Sequence, residues 1–184
     1  IQATGKPVVV LINAGRPLIF NWTADQVPAI LYTWWLGSEA GNAIADVLFG
    51  DYNPSGKLPI SFPREEGQIP IYYNHFNTGR PAPNETATNY VSAYIDLKNS
   101  PKFPFGYGLS YTEFSYDNSV VKATGKGFKA SIRVKNIGKV AGRESVQLYV
   151  SAPAGGLEKP ACELKAFAKT KLLQPGESEI LIFN

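Results

Sequence analysis

Cysteine and histidine are almost absent from the chain, which has one of each among 184 residues. A disulfide needs two cysteines, so Cys162 excludes an internal disulfide, and it also excludes a multi-cysteine zinc site. His75 could supply at most one ligand of a mixed metal site, or act as a single base. The glycines form no Gly-x-Gly-x-x-Gly fingerprint between a strand and a helix. The sequence therefore predicts no metal site and no cofactor.

Long apolar runs are also lacking. The longest one covers residues 7–12, far short of the ~20 residues that a membrane-spanning helix needs. No charged start followed by an apolar run is visible from Ile1 onward, so we identify no signal peptide. A membrane partner is not expected.

A concentrated charge of one sign is missing as well. The net charge is +3, from 18 basic and 15 acidic residues. The densest basic stretch, residues 122–139, spaces its lysines and arginines as a solvated strand face would. Nucleic acid usually requires a clustered basic footprint, so it is not an expected partner.

The chain does contain enough apolar material for a core, since 44% of its residues are hydrophobic and 12% are aromatic. It also has 17 glycines and 14 prolines. Such a composition indicates a globular fold with many turns, and it favours a β-rich or mixed architecture over a helical bundle.

The first part of the chain has the pattern of an α/β fold. Residues 6–13 and 29–35 are short runs rich in β-branched and aromatic residues, typical of strands covered on both faces in a parallel sheet. Residues 21–28 between them allow a turn or one short helix. After Gly37 the apolar spacing becomes helical and ends at Gly50. Residues 57–62 alternate as in a third strand.

A long irregular stretch, residues 63–103, follows and is rich in Pro, Asn, Thr and Tyr. Loops of this length inside a compact domain are usually functional or clamped onto a neighbour. The composition changes again near Thr112, where we place a domain boundary. Beyond it, alternating runs at 128–135, 146–150, 164–173 and 179–183 with intervening turns predict a β-sandwich.

An ordered series of motifs then resembles one family. The segments 5–10, 15–18, 35–41 and 45–59 resemble the α/β domain of family 3 glycoside hydrolases, and 77–81 (Asn-Thr-Gly-Arg-Pro) and 103–112 continue in the same order. The segments 163–167 and 173–177 resemble the fibronectin III-like domain that follows in that family. The similarity covers essentially the whole chain and is greatest to the bacterial periplasmic β-glucosidase branch.

This resemblance implies a fold class of α/β plus all-β. Residues 1–111 would be the C-terminal part of the α/β-sandwich domain with its long loop and linker. Residues 112–184 would be a fibronectin III-like domain, expected to be truncated at its C-terminus. A periplasmic or secreted location is implied too.

The resemblance also implies the chemistry of the parent enzyme, an exo-acting retaining β-glycosidase that removes terminal non-reducing sugars. Such enzymes use two carboxyl groups ~5 Å apart. In the family, the nucleophilic aspartate lies in an N-terminal barrel domain and the acid/base also precedes the portion seen here. We therefore predict no catalytic residue in this chain, and assign Glu39, Asp51, Glu65 and Glu66 to helix ends and turns.

Substrate contact without catalysis is a separate hypothesis. The side chains suited to stacking on sugars or bonding their hydroxyls include Trp34 and Trp35, and the best candidates lie on the loop at residues 72–83: Tyr72, Tyr73, His75 and Arg80. The expected partners are a β-linked oligosaccharide or glycoside and the N-terminal barrel domain, and a homodimer is left open. The alternative function is a carbohydrate- or protein-binding (adhesion) module without catalysis.

Overall fold

The computed structural model describes residues 1–87, 89–125, 127–153 and 155–184. These residues form two compact units. The first unit comprises Ile1–Ala45 and Pro59–Phe105, and the second comprises Asp46–Leu58 and Gly106–Asn184. The segment Asp46–Leu58 thus belongs with the C-terminal unit, although it precedes the long loop in sequence.

Two parallel strands open the first unit. Strand β1 (Val9–Ile12) pairs with β2 (Ala29–Tyr32), and the short helix α1 (Asn21–Gln26) lies between them in the chain. Helix α2 (Ala40–Phe49) follows and ends before Gly50, whose φ of 88° needs a residue without a Cβ. The two strands and α2 confirm the predicted elements, and α1 shows that residues 21–28, predicted as a turn or one short helix, contain the helix.

The packing of the first unit centres on Phe62, which is 1% exposed. The rings of Tyr32 and Trp34 meet Phe62 edge-on, with centroids 4.9 and 5.9 Å away. Phe20 and Phe103 complete the cluster at 6.1 and 6.2 Å. Edge-to-face aromatic contacts of this kind add stability beyond the area they bury, so the cluster holds β2 against the long loop.

The prediction of a strand at residues 57–62 is wrong. The residues between Lys57 and Phe62 form no strand, and Phe62 makes only an isolated bridge with Phe103. Pro59 interrupts the run and has no N–H to donate to a ladder. Alternation of apolar residues therefore predicted a strand that the backbone chemistry prevents.

In the described part of the second unit, five strands form two antiparallel sheets. Strands β3 (Phe114–Thr124), β4 (Gly127–Asn136) and β7 (Ser178–Phe183) form a sheet in the order β3-β4-β7. Strands β5 (Ser145–Val150) and β6 (Glu163–Lys169) form the other. The shared core consists of the following side chains: Ala130, Val134, Val146, Leu181 and Phe183.

The alternation predicted for these strands holds in their central parts. Val134 and Val146 are buried, at 0% and 5% exposure. Phe128, which the alternation of residues 128–135 places on the same face as Val134, is 70% exposed, because β4 pairs with β7 only from Ala130 onward. Val150 is also exposed, because a register shift between Leu148 and Tyr149 interrupts the alternation. Strand β3 was not predicted as an individual element.

The described residues confirm the predicted fold class, an α/β part followed by a β-sandwich. Within these residues no helix is long and apolar enough to cross a bilayer. The same residues contain no group of three or more His, Cys, Asp or Glu side chains placed to hold a metal ion.

Candidate functional site

A pocket of about 350 Å³ lies within the first unit, on the long loop. Tyrosine, proline and polar side chains form most of its wall. The lining residues are Ser61, Ile71, Tyr72, Tyr73, His75, Glu85, Asn99, Ser100, Pro101 and Pro104. Three of the four residues predicted as substrate contacts thus lie together here: Tyr72, Tyr73 and His75.

The two tyrosines of this pocket differ in their surroundings. The ring of Tyr73 stacks on Phe105, with centroids 4.2 Å apart and an interplanar angle of 15°. The side chain of Tyr72 is 64% exposed. Tyr73 is therefore held as part of the wall, whereas Tyr72 offers an accessible aromatic face.

The pocket has one imidazole and one carboxylate among its lining residues. The Nδ1 atom of His75 lies 3.1 Å from the carbonyl oxygen of Phe76, so a tautomer with a proton on Nδ1 donates there. Glu85 accepts a hydrogen bond from the backbone N–H of Ser100 at 3.3 Å through Oε2. That bond orients the carboxylate beside the wall that Ser100 forms.

The wall around Ser100 is clamped by two side chains from the start of the loop. The guanidinium of Arg64 donates to the carbonyl oxygens of Ser100 and Pro101, at 2.9 and 3.2 Å. Gln68, 1% exposed, accepts from the N–H of Arg64 at 2.6 Å and donates to the carbonyl of Lys98 at 2.8 Å. This buried network fixes the irregular backbone without regular secondary structure.

Arg80 lies outside the pocket lining. Its side chain is exposed, and its carbonyl oxygen accepts a hydrogen bond from the N–H of Ser92 at 2.7 Å. Pro81 and Ser92 form an isolated bridge beside it. Arg80 is therefore presented on a short paired tip of the loop, separately from the other three candidates.

The adjacent residues Trp34 and Trp35 lie in different environments. Trp34 packs in the aromatic cluster around Phe62 and has a φ of 56°, which is unusual for a bulky residue. Trp35 is 80% exposed and lies against Gly15, where a Cβ would approach Cε2 of the indole to 2.9 Å. Trp34 is thus a half-buried packing residue, whereas Trp35 is largely exposed.

Two of the four acidic residues assigned to helix ends and turns, Glu39 and Glu65, have hydrogen-bond partners. Glu39 precedes α2 and accepts a hydrogen bond from Asn42 Nδ2 at 2.6 Å. Glu65 accepts from Asn21 Nδ2 at 3.3 Å. Glu85 is the one carboxylate among the pocket's lining residues, and glycosidic hydrolysis by retention needs two that face each other. Among the described residues, the pocket thus combines one carboxylate with amide, imidazole and phenol groups, which can bind a polar ligand.

Sequence reasoning missed Glu85, Asn99 and Ser100 as pocket residues. Nothing in the local pattern places residues 99–101 beside residues 71–75. The side chains that hold the backbone at Lys98 and Ser100, those of Gln68 and Arg64, come from elsewhere in the chain. The one signal available in the sequence was the presence of two long polar side chains, Arg64 and Gln68, soon after Phe62 and Pro63.

The α/β part, the clamped loop and the β-sandwich together define the class of the protein. The model of the family described as "Glycosyl hydrolase family 3 C-terminal domain" matches residues 1–111, and the "Fibronectin type III-like domain" matches residues 144–184. The chain belongs to glycosyl hydrolase family 3.

Particular relatives agree with this assignment. The chain is 49% identical to a periplasmic beta-glucosidase of Salmonella typhimurium, covering 100% of this chain and 24% of that protein. It is 43% identical to a beta-xylosidase of Formosa agariphila, covering 100% and 25%. It is similar in structure to a beta-glucosidase from Listeria innocua in complex with isofagomine, with a TM-score of 0.92 and 44% identity over 99% of this chain and 26% of that one. The chain thus spans about a quarter of the length of these relatives.

Proposed function

We propose that the chain is the non-catalytic, C-terminal portion of an exo-acting retaining β-glycosidase of the β-glucosidase type. The observation that carries this proposal is the extent of the similarity: the whole chain is 49% identical to about one quarter of a periplasmic beta-glucosidase. The nucleophile and the acid/base are supplied by the portion of the parent that precedes Ile1, including a barrel domain. The role of this chain is to complete the α/β layer and to present loops.

The exposed face of β1 supports the scaffold role. Val9 and Leu11 alternate with half-buried neighbours and are 48% and 45% exposed. The run from Val8 to Ile12 has the composition of a strand covered on both faces. Two parallel strands also cannot close a doubly wound domain by themselves. We propose that the rest of the parent covers this face.

The loop at residues 72–83 is the part that we propose to reach the substrate, a terminal β-linked sugar of an oligosaccharide or glycoside. Tyr72, Tyr73 and His75 would do so through the pocket, and Arg80 from the tip. In the complete enzyme, Arg80→Ala is expected to raise KM for a β-linked disaccharide about tenfold, the loss of one charge-assisted hydrogen bond. Unchanged kinetics would exclude Arg80 from the substrate site.

The proposal that the catalytic residues lie outside this chain is tested by assaying the 184-residue chain and the complete enzyme in parallel on a chromogenic β-glucoside. We expect turnover by the complete enzyme and none above buffer by the chain. If the chain hydrolysed the glucoside and Glu85→Gln abolished that activity, Glu85 would be a catalytic residue, and the proposal that the chain is non-catalytic would be wrong.

We also propose a cellular location, a domain boundary and an oligomeric state for the parent enzyme. A periplasmic or secreted location is proposed from the name of the Salmonella relative. The boundary at residues 111 and 112 is proposed as the start of the fibronectin III-like domain. A homodimer of the complete enzyme is tested by analytical ultracentrifugation, in which a single monomeric species would exclude it.

A further inference from the structure

We infer that the pocket lined by Glu85 binds one pyranose unit, with Glu85 accepting hydrogen bonds from two adjacent sugar hydroxyls and Tyr72 stacking on the sugar's apolar face. The choice of a sugar as the ligand rests on the proposed function. The polarity and size of the pocket do not depend on it.

The pocket has the dimensions and the wall of a small-ligand site. Its volume of about 350 Å³ lies within the usual range of ~300–1,000 Å³ for such sites. Two tyrosines and two prolines supply flat apolar surface, whereas Glu85, Asn99 and His75 supply acceptors and donors. A pyranose needs this combination, because its ring has apolar C–H patches bordered by hydroxyl groups.

The polar groups of the pocket are positioned before any ligand arrives. Arg64 and Gln68 fix the backbone at Lys98, Ser100 and Pro101. The side-chain oxygen of Asn99 accepts a hydrogen bond from the N–H of Tyr94 at 3.1 Å, which leaves its NH₂ group as the donor. A wall that is already ordered reduces the entropy lost on binding.

Glu85 is suited to hydroxyl recognition because half of its carboxylate is free. Oε2 accepts from the N–H of Ser100, and among the described residues no hydrogen bond or ion pair involves Oε1. A carboxylate has lone pairs for two neighbouring hydroxyl donors, and hydrogen bonds to a charged acceptor are about twice as strong as neutral ones. Glu85 therefore acts in selecting a sugar with adjacent free hydroxyls.

The test is an NMR titration of the ¹⁵N-labelled 184-residue chain with methyl β-D-glucopyranoside. We expect saturable shifts at the amides of Asn99 and Ser100. Glu85→Gln keeps an acceptor for Ser100 but loses the charge, and should weaken binding about tenfold. Tyr72→Ala should weaken it to a similar extent. Glu66→Gln and Tyr52→Ala, which lie outside the pocket lining, serve as matched controls and should bind as the unmodified chain does.

A second probe separates hydroxyl recognition from apolar binding. The fully O-methylated glucoside has no hydroxyl donors, so it should cause no saturable shift at these amides. Binding of this compound with equal affinity, or unchanged affinity of Glu85→Gln for the glucoside, would overturn the role of Glu85. No saturable shift with the unmodified chain would overturn the pocket assignment while leaving hydrolysis by the complete enzyme untouched. A complete enzyme without glycosidase activity would instead contradict the proposed function.

Discussion

Asn136, at the end of β4, shows how one residue can organise a turn of the sandwich. It is 0% exposed, and its Oδ1 accepts hydrogen bonds from Thr112 Oγ1 at 2.7 Å and from the N–H of Gly138 at 3.1 Å. Its Nδ2 donates to the carbonyls of Val140 and Leu173, at 2.8 and 2.9 Å. All four hydrogen-bonding positions of the amide are therefore used, so the turn depends on this side chain.

Asn136→Ala should destabilise the second unit by about 3 kcal/mol, because it leaves buried polar partners without hydrogen bonds and each costs ~1–3 kcal/mol. The measurement is native-state hydrogen exchange of the backbone amides in β4 and β7. Asn89→Ala, at an exposed position, is the control and should change these amides by less than about 0.5 kcal/mol. A loss under about 1 kcal/mol in Asn136→Ala would contradict the assignment.

At the scale of a single residue, Tyr116 also makes the folding stability depend on pH. Burial raises the pKa of its hydroxyl above the ordinary value, and the hydrogen bond to Glu144 at 2.8 Å and the negative charge of that residue raise this pKa further. The protonated tyrosine is thus favoured in the folded state. Its stabilising contribution is complete below the unfolded pKa of about 10 and is lost as the pH rises from there through the folded pKa.

The unmodified chain should therefore lose stability more steeply above about pH 10 than Tyr116→Phe does, since phenylalanine removes this titration. Urea unfolding at a series of alkaline pH values, followed by far-ultraviolet circular dichroism, measures the difference. Tyr52→Phe, which removes an exposed phenol, should retain the slope of the unmodified chain. Parallel slopes for the unmodified chain and Tyr116→Phe would show that the raised pKa has no effect on folding.

At the scale of elements, the segment Asp46–Leu58 is an integral part of the sandwich unit. Asn53 donates to the carbonyl of Ala141 at 3.0 Å and accepts from Ser110 Oγ and the N–H of Tyr111, both at 2.9 Å. At Gly108, an added Cβ would meet the carbonyl oxygen of Gly56 at 2.3 Å. The backbones approach so closely that only glycine fits there, which explains Gly108 in the 103–112 motif.

The ion pair between Lys57 and Glu144, at 3.2 Å, fastens this segment to the start of β5. Their side chains are only 16% and 10% exposed. Lys57→Met should cost about 3 kcal/mol, because a buried carboxylate loses its counter-charge. Amide exchange in β5 and β6 measures the loss.

The control for this prediction is the exposed pair of Lys165 and Glu163, at 3.0 Å with side chains 52% and 34% exposed. Lys165→Met should change stability by less than about 1 kcal/mol, as is usual for surface pairs. Equal losses for Lys57→Met and Lys165→Met would mean that burial does not strengthen the first pair.

At the scale of the whole molecule, the exposed face of β1 allows a test of the proposed scaffold role. Leu11→Lys, at a position 45% exposed, should leave the stability of the 184-residue chain within about 0.5 kcal/mol. In the complete enzyme it should lower the melting temperature and the activity, because a charge would be buried without a partner.

The comparison for Leu11→Lys is Val121→Lys, at a position on β3 that is 67% exposed. It should be harmless in both the chain and the complete enzyme. If Leu11→Lys were equally harmless in the complete enzyme, the face of β1 would not be an interface, and the proposed scaffold role would be contradicted there.

The elements that the sequence predicted correctly are those with a local cause. The β-branched run before Asn13 predicted β1, the helical spacing before Gly50 predicted α2, and the alternation around Val134 predicted β4. The strand predicted at residues 57–62 failed because apolar alternation says nothing about the missing N–H of Pro59. The burial predicted for Phe128 was wrong, because the pattern of one strand does not show how far the core extends along it.

By itself, the sequence determined the family, the α/β-then-sandwich order and the group of tyrosines on the long loop, because ordered motifs and periodicity are properties of neighbouring residues. The tertiary structure alone decided that Glu85 and Ser100 join Tyr72, and that Lys57 belongs with Glu144. Those groups lie far apart along the chain. Only a folded backbone, held by buried side chains such as Gln68 and Asn136, brings them together.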